Sequence, residues 1–157
     1  MIIEYEPKYD EQIKNLLVEL QQYLTDIDKE GFNIVGNEYR EKYFEKTMKE
    51  IKENNGKMLL FKNEDTIVGL IAGLINNEKT ITYDFNAPKR GRITELIVSK
   101  EYRNKHIGKQ LLEGMKDYLK LIGCEKILIV VSGYNEKALK FYKENGYHIR
   151  MIDMIED

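Results

Sequence analysis

Hydrophobic and polar positions follow two different periods along the chain, and each period predicts a different element. Residues 2–6 alternate in polarity, which predicts a short first strand. From Tyr9 to about Leu24 the apolar side chains recur every three or four residues, which predicts a helix with one buried face. After a glycine-containing loop, we expect Asn37 to cap a second helix that runs to about Asn54.

The middle of the chain carries the longest apolar runs. "KMLLF" and "TIVGLIAGLI" predict two strands, and the polar turn "KNED" between them favours an antiparallel hairpin. "RITELIVS" at 92–99 contains the apolar run "LIV" and Ile93, and we expect it to form a central strand that is covered on both faces. The pattern then predicts a helix over 107–122 that stops at Gly123, a buried strand over 126–131, a helix from Asn135 to Asn145, and a last strand "YHIRMIDMI".

The resulting order, βααβββαβαβ, places strand–helix–strand units in the second half of the chain. Such units bring parallel strands together, because the helix crosses over one face of the sheet. No repeat, low-complexity tract or linker interrupts the chain. We therefore predict a single α/β (α+β) domain over residues 1–157, with a mixed sheet between layers of helices.

Composition and charge narrow the class of protein. An apolar fraction of 42% and a charged fraction of 33% are typical of a soluble globular protein. The net charge of −2 gives no general attraction to nucleic acid or to an anionic membrane. A single cysteine, Cys124, cannot form an internal disulfide, the first residues lack the pattern of a secretion signal, and the apolar run at 67–75 is too short to span a bilayer. We therefore expect a cytoplasmic protein without nucleic-acid or membrane partners.

A basic, polar loop joins the central strand to the helix that begins near Ile107. The first turn of a helix has unpaired N–H groups and the positive end of the helix dipole, so this junction favours an anion. Gly108 allows close approach of the backbone, and Arg103 with Lys105 or Lys109 adds charge. On these residues alone, a solvated turn is the alternative. Neither a Walker A loop nor a dinucleotide fingerprint is present.

Two motifs in the second half of the chain favour the anion-binding interpretation. "RNKHIG" at 103–108 matches the form [Q/R]-x-x-G-x-[G/A], except that His106 stands at the first glycine. "NEKALKFY" at 135–142, followed by "GY", matches N-x-x-A-x-x-x-Y with a later G-[F/Y]. With the strand "ITELIV" before them, these motifs resemble the GNAT superfamily of acyl-CoA-dependent N-acetyltransferases. The resemblance covers residues 92–147 closely and residues 1–91 only in the order of elements.

The resemblance implies a fold, a co-substrate and a reaction. The fold has a mixed, mostly antiparallel sheet with one parallel strand pair and helices on both faces. The co-substrate is acetyl-CoA, whose acetyl group is transferred by direct attack of a primary amine of a small molecule or peptide. No metal is expected, because the two histidines lack ligand spacing. The alternative function is a catalytically silent acyl-CoA-binding regulatory or interaction module, for which His106 in the loop is the sequence hint.

The resemblance also implies which residues hold acetyl-CoA. The backbone of the central strand would pair with the pantetheine arm like an added strand, and the loop amides would hold the pyrophosphate. Asn135 would bind the cofactor's arm, or it caps the last helix. Tyr142, two helical turns later on the same face, would protonate the leaving thiolate, or it packs in the core. The full set is Leu96, Ile97, Val98, Arg103, Asn104, Lys105, His106, Ile107, Gly108, Lys109, Asn135 and Tyr142.

Glu95 is the candidate general base for the acceptor amine. An alkylammonium has a pKa of about 10.4, so its neutralisation at pH 7 costs about 4–5 kcal/mol unless the site supplies a base. A carboxylate in the middle of a strand is hard to explain as core filling, and alternation turns Glu95 to the face opposite Leu96. The competing interpretation is a salt bridge to Lys or Arg on a neighbouring strand.

Residues that bind the acceptor are expected in the first half of the chain. The loop after the first helix carries carboxylates and aromatic rings, which would suit a cationic amine, although such a loop is also typical of a solvated surface. The chain is expected to act as a monomer or as a homodimer that uses the final strand. The candidate acceptor residues are Tyr23, Asp26, Asp28 and Phe32 in this loop region, with Tyr83 and Asp84 in the connection before the central strand.

Overall fold

A computed structural model describes all residues from Met1 to Asp157 and contains five strands and four α-helices. Single turns of 3-10 helix lie at Pro7–Tyr9 and Lys100–Tyr102. None of the helices combines the length and the apolar composition that a membrane crossing requires. The elements in chain order are β1 (Ile2–Glu4), α1 (Asp10–Ile27), α2 (Tyr39–Glu53), β2 (Lys57–Asn63), β3 (Thr66–Ile75), β4 (Arg90–Val98), α3 (Ile107–Leu121), β5 (Lys126–Ile129) and α4 (Glu136–Glu144).

The strands form one sheet in the order β1-β2-β3-β4-β5. Neighbours are antiparallel except β4 and β5, which are parallel because α3 crosses over between them. Helices α1 and α2 pack on one face of the sheet around Ile13, Leu17 and Leu60, whereas α3 and α4 pack on the other face around Leu111 and Met115. This arrangement confirms the predicted mixed sheet with one parallel strand pair and helices on both faces.

A bulge in β4 decides which of its side chains face each helical layer. Ile93 pairs with Gly73 and Glu95 pairs with Ala72, so Thr94 has no counterpart in β3. The extra residue reverses the alternation of side chains along the strand. Ile93 therefore packs in the α3–α4 layer, whereas Glu95 points to the α1–α2 layer. Without the bulge, the carboxylate would share the face of Ile93.

The parallel strands β4 and β5 separate part-way along their length and open a cleft in the sheet. Pairing runs from Arg90 with Lys126 to Ile93 with Ile129. β4 then continues to Val98 with no strand on that side. The backbone groups of this unpaired stretch are available to a ligand that lies in the cleft.

The start of α2 and the β2–β3 turn differ from the prediction. Asn37 does not cap α2, because the helix begins at Tyr39 after a left-handed Glu38 with φ of 66°, and no side chain caps this end. The β2–β3 turn spans only residues 64–65, since the polar residues before it still pair across the hairpin. The polar residues predicted where both connections lie, but backbone hydrogen bonds determine the residues at which each connection begins and ends.

The C-terminal segment is the largest departure from the prediction. Residues 147–157 form no strand and leave Met151, Ile152 and Met154 exposed. β5 ends at Ile129 and is only partly buried, because it is the edge strand. An apolar pattern is consistent with a strand, but the segment also needs a partner strand that supplies hydrogen bonds, and the short β5 offers few. The homodimer predicted through this segment stays a prediction.

Candidate active site

The unpaired edge of β4 presents backbone groups to the cleft. Ser99 donates its N–H to a carbonyl of β3 at 2.8 Å, so every second residue of this stretch bonds towards β3. Leu96 and Val98 therefore direct their N–H and C=O groups into the cleft, where Arg103 Nε already donates to the Val98 carbonyl at 3.0 Å. Ile97 has the opposite backbone orientation, and its side chain packs in the α1–α2 layer.

The loop between β4 and α3 holds a row of unpaired amides. The N–H groups from Asn104 to Lys109 donate to no acceptor within the protein. Asn104 and His106 are left-handed, with φ of 62° and 61°, and His106 directly precedes α3. Left-handed residues next to the N-terminus of a helix orient successive N–H groups towards one side. Such concave rows of N–H groups bind anions. The loop therefore has the geometry of an anion site.

His106, which stands at the first glycine of the loop motif, is left-handed. A positive φ is free of strain for glycine and costs other L-residues about 1–2 kcal/mol. Histidine is among the non-glycine residues that occupy this region more often than most. The replacement of glycine by histidine thus leaves the row of amides in place, at some cost in stability.

We expect His106→Gly to raise the free energy of unfolding by about 0.5–1 kcal/mol, because the relief of left-handed strain exceeds the extra chain entropy of glycine. Urea unfolding measures this change. Lys105→Gly is the matched control, since Lys105 is not left-handed and glycine there only adds entropy to the unfolded chain. Equal destabilisation by the two substitutions would contradict strain at His106.

The basic side chains of the loop differ in what they contact. Arg103 Nη2 lies 3.7 Å from Glu19 Oε1, which connects the loop to α1. Lys105 Nζ lies 5.1 Å from the ring centroid of Tyr102, and Lys109 Nζ lies 4.0 Å from a carboxylate one helical turn further on. Arg103 therefore connects the loop to α1, whereas Lys105 and Lys109 are exposed beside the unpaired amides.

Asn135 caps helix α4 and joins it to α1. Its Oδ1 accepts a hydrogen bond from the Ala138 N–H at 3.2 Å, which confirms the predicted cap. The same oxygen accepts a hydrogen bond from the Tyr23 hydroxyl at 3.2 Å. Contact of Asn135 with the cofactor's arm stays a prediction.

Tyr142 is buried on α4 among aromatic rings. Its ring centroid lies 5.2 Å from that of Phe141 and 5.5 Å from that of Tyr147, both edge to face. The side chain lines a cavity of about 900 Å³ beside β5, which we call the β5 cavity. Burial, with a smaller contribution from Tyr147, raises the pKa of Tyr142 well above the usual tyrosine value. The hydroxyl therefore keeps its proton over the physiological pH range and remains a donor.

Glu95 is a buried carboxylate with only 7% of its surface exposed. The Tyr43 hydroxyl donates a hydrogen bond to its Oε1. Burial raises the pKa of Glu95 to about 7, although the Tyr43 hydrogen bond and the charge of Lys46 lower it. The salt bridge to a neighbouring strand was therefore the wrong interpretation, since the partner is a tyrosine on α2. A carboxyl group that titrates near neutrality is suited to accept a proton.

A second cavity, of about 440 Å³, lies beside Tyr43 on the α1–α2 face, and we call it the α2 cavity. The Tyr43 ring stacks on Tyr39, with centroids 4.8 Å apart and 15° between the ring planes. Lys42 and Lys46 line the cavity beside this stack. Neither these two tyrosines nor the two lysines were singled out as site residues by the sequence analysis. Two tyrosines one helical turn apart, ahead of the buried positions, were the available signal.

The residues predicted to bind the acceptor lie in different places. Phe32 lines the α2 cavity. Asp84 lines the β5 cavity, and the adjacent Tyr83 is fully exposed. Asp26 accepts a hydrogen bond from Gln22 Nε2 at 2.8 Å. Phe32 is thus the member of this set that lies in the same cavity as Tyr43.

Asp28 holds the α1–α2 loop in shape. Its carboxylate accepts hydrogen bonds from the Asn33 N–H at 2.8 Å, from the Asn33 side-chain amide at 2.9 Å and from the Glu30 N–H at 3.0 Å. The bonds from Asn33 are the main reason that the pKa of Asp28 is lowered. Hydrogen bonds within the loop therefore already stabilise the negative charge of Asp28.

Comparison with known proteins decides the family. The model of the Acetyltransferase (GNAT) family matches residues 19–147, which is most of the chain. The chain belongs to this family. The GNAT protein is also similar to the glucosamine 6-phosphate N-acetyltransferase of Arabidopsis thaliana, with 28% identity over 113 residues, 71% of this chain and 72% of that protein. The family and this relative support an acyltransferase.

Solved structures share the fold of this GNAT protein. A mutant of the BH1408 protein from Bacillus halodurans has a TM-score of 0.87 and 19% identity, with 100% of this chain and 98% of that chain covered. AAC(6')-Iy in complex with the bisubstrate analog CoA-S-monomethyl-acetylneamine has a TM-score of 0.73 and 12% identity, with coverage of 100% and 97%. At these identities the likeness establishes the fold, and the second structure holds a CoA derivative.

Proposed function

We propose that this GNAT protein transfers the acetyl group of acetyl-CoA to a primary amine within a ternary complex. The observation that carries the proposal is the row of unpaired amides from Asn104 to Lys109, beside the open edge of β4. A diphosphate suits this row, because the row is rich in donors and lies at a helix N-terminus. The name of the amino-sugar N-acetyltransferase relative supports an amine acceptor, and the CoA derivative in a structural neighbour supports the co-substrate.

Acetyl-CoA would lie along the cleft between β4 and β5 and supply the activated acetyl thioester. The N–H and C=O groups of Leu96 and Val98 would pair with its pantetheine arm like an added strand. The amides beside Gly108 would hold the diphosphate, with exposed Lys105 and Lys109 nearby. A Cβ at Gly108 would lie 3.6 Å from the ring of Phe141, so the first turn of α3 packs close to α4.

Glu95 is the base of the proposed reaction. The acceptor arrives as an ammonium, whose nitrogen has no lone pair with which to attack. A carboxylate with a pKa of about 7 can take one proton from it, directly or through water, and release that proton to solvent. The α2 cavity lies beside Tyr43, which donates to this carboxylate, so the cavity is a suitable place for the acceptor.

The remaining steps form the C–N bond, break the C–S bond and transfer one further proton to sulfur. The amine lone pair forms the C–N bond at the thioester carbonyl carbon, while a backbone N–H of the Leu96–Val98 segment stabilises the carbonyl oxygen. The C–S bond then breaks and its electron pair stays on sulfur. Tyr142 donates a proton to the thiolate and is reprotonated, through water, by the proton that the new amide nitrogen loses. The products are the acetylated amine and the free thiol of CoA.

A thermal-shift measurement with two ligands tests the site. We expect CoA at about 100 times its Kd to raise Tm by roughly 5–10 °C, since binding at that ratio stabilises the fold by about 2.7 kcal/mol. Pantetheine is the matched control, because it keeps the arm that would pair with β4 but lacks the diphosphate. It should give a much smaller shift at the same concentration. Equal shifts with the two ligands would contradict the row of amides as the diphosphate site.

Thiol release from acetyl-CoA, measured over a panel of primary amines, then separates the two candidate functions. Amine-dependent release supports the acetyltransferase. Stabilisation by CoA without release on any amine favours the silent acyl-CoA-binding module. The retained geometry of the loop at His106, together with the buried Glu95 and Tyr142, favours the enzyme.

A further inference from the structure

The walls of the α2 cavity are basic, although the loop beside it is rich in carboxylates. The residues that line the cavity include Lys42 and Lys46 and no Asp or Glu. Carboxylates of the neighbouring loop have partners of their own: Asp28 accepts from Asn33, and Glu30 accepts from the Tyr134 hydroxyl. A ligand in the cavity therefore meets two positive charges and no negative charge on its walls.

Helix α2 contributes two parallel rows of side chains to this cavity. Tyr39 and Tyr43 form an aromatic row, and Lys42 and Lys46 form a basic row beside it. Residues four positions apart lie about 6 Å from each other on one helix face. Lys46 Nζ is 5.6 Å from the Tyr43 ring centroid, and the Tyr43 hydroxyl bonds to Glu95. Tyr43 therefore contacts both Lys46 of the basic row and the proposed base, Glu95.

The carboxylates nearest to the two lysines are weak competitors for a ligand. Lys42 pairs with Glu38 at 2.8 Å, and Lys46 pairs with Glu50 at 3.8 Å. Each is an i,i+4 pair on an exposed helix surface, with at least 43% of each side chain exposed. Such pairs contribute little to stability and are screened by water. An anion that contacts both ammonium groups can therefore replace them.

We infer that the acceptor is a primary amine that also carries an anionic group, either a phosphate or a carboxylate. Its ammonium end lies towards Glu95, and its anionic end contacts Lys42 and Lys46. The inference rests on the proposed function, since it names the class of acceptor for that reaction. It reverses the expectation of a cationic acceptor, because a polycation would be repelled by the same two lysines.

Four acceptors test the inference in an assay of thiol release: glucosamine, glucosamine 6-phosphate, muramic acid and spermidine. We expect kcat/KM for an anionic amino sugar to exceed that for glucosamine by about 10-fold or more, through a lower KM. A preference between glucosamine 6-phosphate and muramic acid identifies the anion as phosphate or carboxylate. The Lys42→Met/Lys46→Met double variant should lower the ratio of kcat/KM for the preferred anionic sugar to kcat/KM for glucosamine about 10-fold. Loss of the Lys46 charge also changes the pKa of Glu95, but this change cancels in the ratio because both acceptors use the same base.

Lys49→Met is the matched control for the double variant. Lys49 lies on the same helix and forms the same kind of pair, with Glu53 at 3.9 Å, but it does not line the cavity. It should behave like the parent protein with every acceptor. Equal rates with glucosamine and both anionic sugars, a preference for spermidine, or a double variant that matches Lys49→Met overturns the inference and leaves the proposed function intact.

If no amine is acetylated, the proposed function fails, and a binding measurement decides the inference by itself. Glucosamine 6-phosphate and muramic acid are titrated calorimetrically into the CoA-saturated protein. Binding that the Lys42→Met/Lys46→Met variant weakens about 10-fold supports the anion site. Absence of binding, or binding that this variant does not change, overturns it.

Discussion

Glu95→Gln is expected to lower kcat/KM by about 10²–10⁴-fold at pH 8, because an amide cannot accept a proton from the acceptor. Glutamine has almost the same shape and can still accept the hydrogen bond from Tyr43. In the parent protein, kcat/KM should fall about tenfold per pH unit below pH 7, since the pKa of Glu95 is about 7. The variant should show no levelling off near pH 7, because without the base its rate follows the small fraction of free amine, which rises about tenfold per pH unit up to the pKa of the acceptor. Initial rates of thiol release between pH 5 and pH 9 measure both effects.

The same substitution is expected to stabilise the fold at high pH. The pKa of Glu95 is about 7 in the folded chain and about 4.3 in the unfolded chain, so the folded chain binds more protons between these values. The contribution of Glu95 to the free energy of unfolding of the parent therefore falls as the pH rises from about 4 to about 7 and is constant above. Glu95→Gln removes this loss. Its free energy of unfolding should exceed that of the parent by about 1–3 kcal/mol at pH 8 and should be almost equal to it at pH 4. Urea unfolding at the two pH values measures the difference.

Glu50→Gln is the matched control for Glu95. The charge of Glu50 raises the pKa of Glu95, and Glu50 also pairs with Lys46 at 3.8 Å. Its removal should move the acidic limb to lower pH and keep activity at pH 8 within about twofold. A Glu95→Gln protein with the parent's rate and pH profile would exclude Glu95 as the base.

Tyr142→Phe is expected to lower kcat by about 10²-fold and to change KM for acetyl-CoA by less than about threefold. The ring that packs against Phe141 and Tyr147 remains, so the binding surface is preserved. What is lost is the donor to the leaving sulfur, which matters only as the C–S bond breaks. Steady-state kinetics with saturating amine separate kcat from KM.

Tyr147→Phe is the matched control for Tyr142. Tyr147 belongs to the same aromatic group, and its hydroxyl is buried without a hydrogen-bond partner. Removal of that hydroxyl should leave kcat unchanged, because it donates to nothing in the protein. If Tyr142→Phe keeps the parent's kcat, or if both substitutions lower kcat equally, Tyr142 is not the general acid.

Local sequence chemistry predicted the helices of the second half almost to the residue. Helix α3 was expected over 107–122 and occupies Ile107–Leu121, and the chain leaves it at a left-handed Gly123 with φ of 96°. Asn135 caps α4 as predicted. These features depend on residues within one or two turns of each other, so the local sequence contains what is needed.

Features that depend on distant contacts were not predictable in the same way. The partner of Glu95 is Tyr43, 52 residues away, and the two meet only because the bulge at Thr94 turns the carboxylate towards α2. The α2 cavity likewise combines the loop residue Phe32 with helix residues. A single sequence indicates which residues are unusual but does not show which distant segments meet.

The C-terminal segment shows that secondary structure also depends on contacts that the local sequence does not reveal. "YHIRMIDMI" has the apolar content of a strand, yet residues 147–157 form none beside the short edge strand β5. Strand formation needs a hydrogen-bonding partner, and apolar content does not supply one.

By itself, the sequence determined the order of the elements as far as α4, the loop that opens α3 and the choice of Glu95 and Tyr142 as candidates, because each depends on neighbouring residues. Only the tertiary structure decided that the loop amides are unpaired, that Glu95 is buried against a tyrosine, and that the α2 cavity is basic. Burial and hydrogen bonding are properties of three-dimensional neighbours, and these neighbours come from distant parts of the chain.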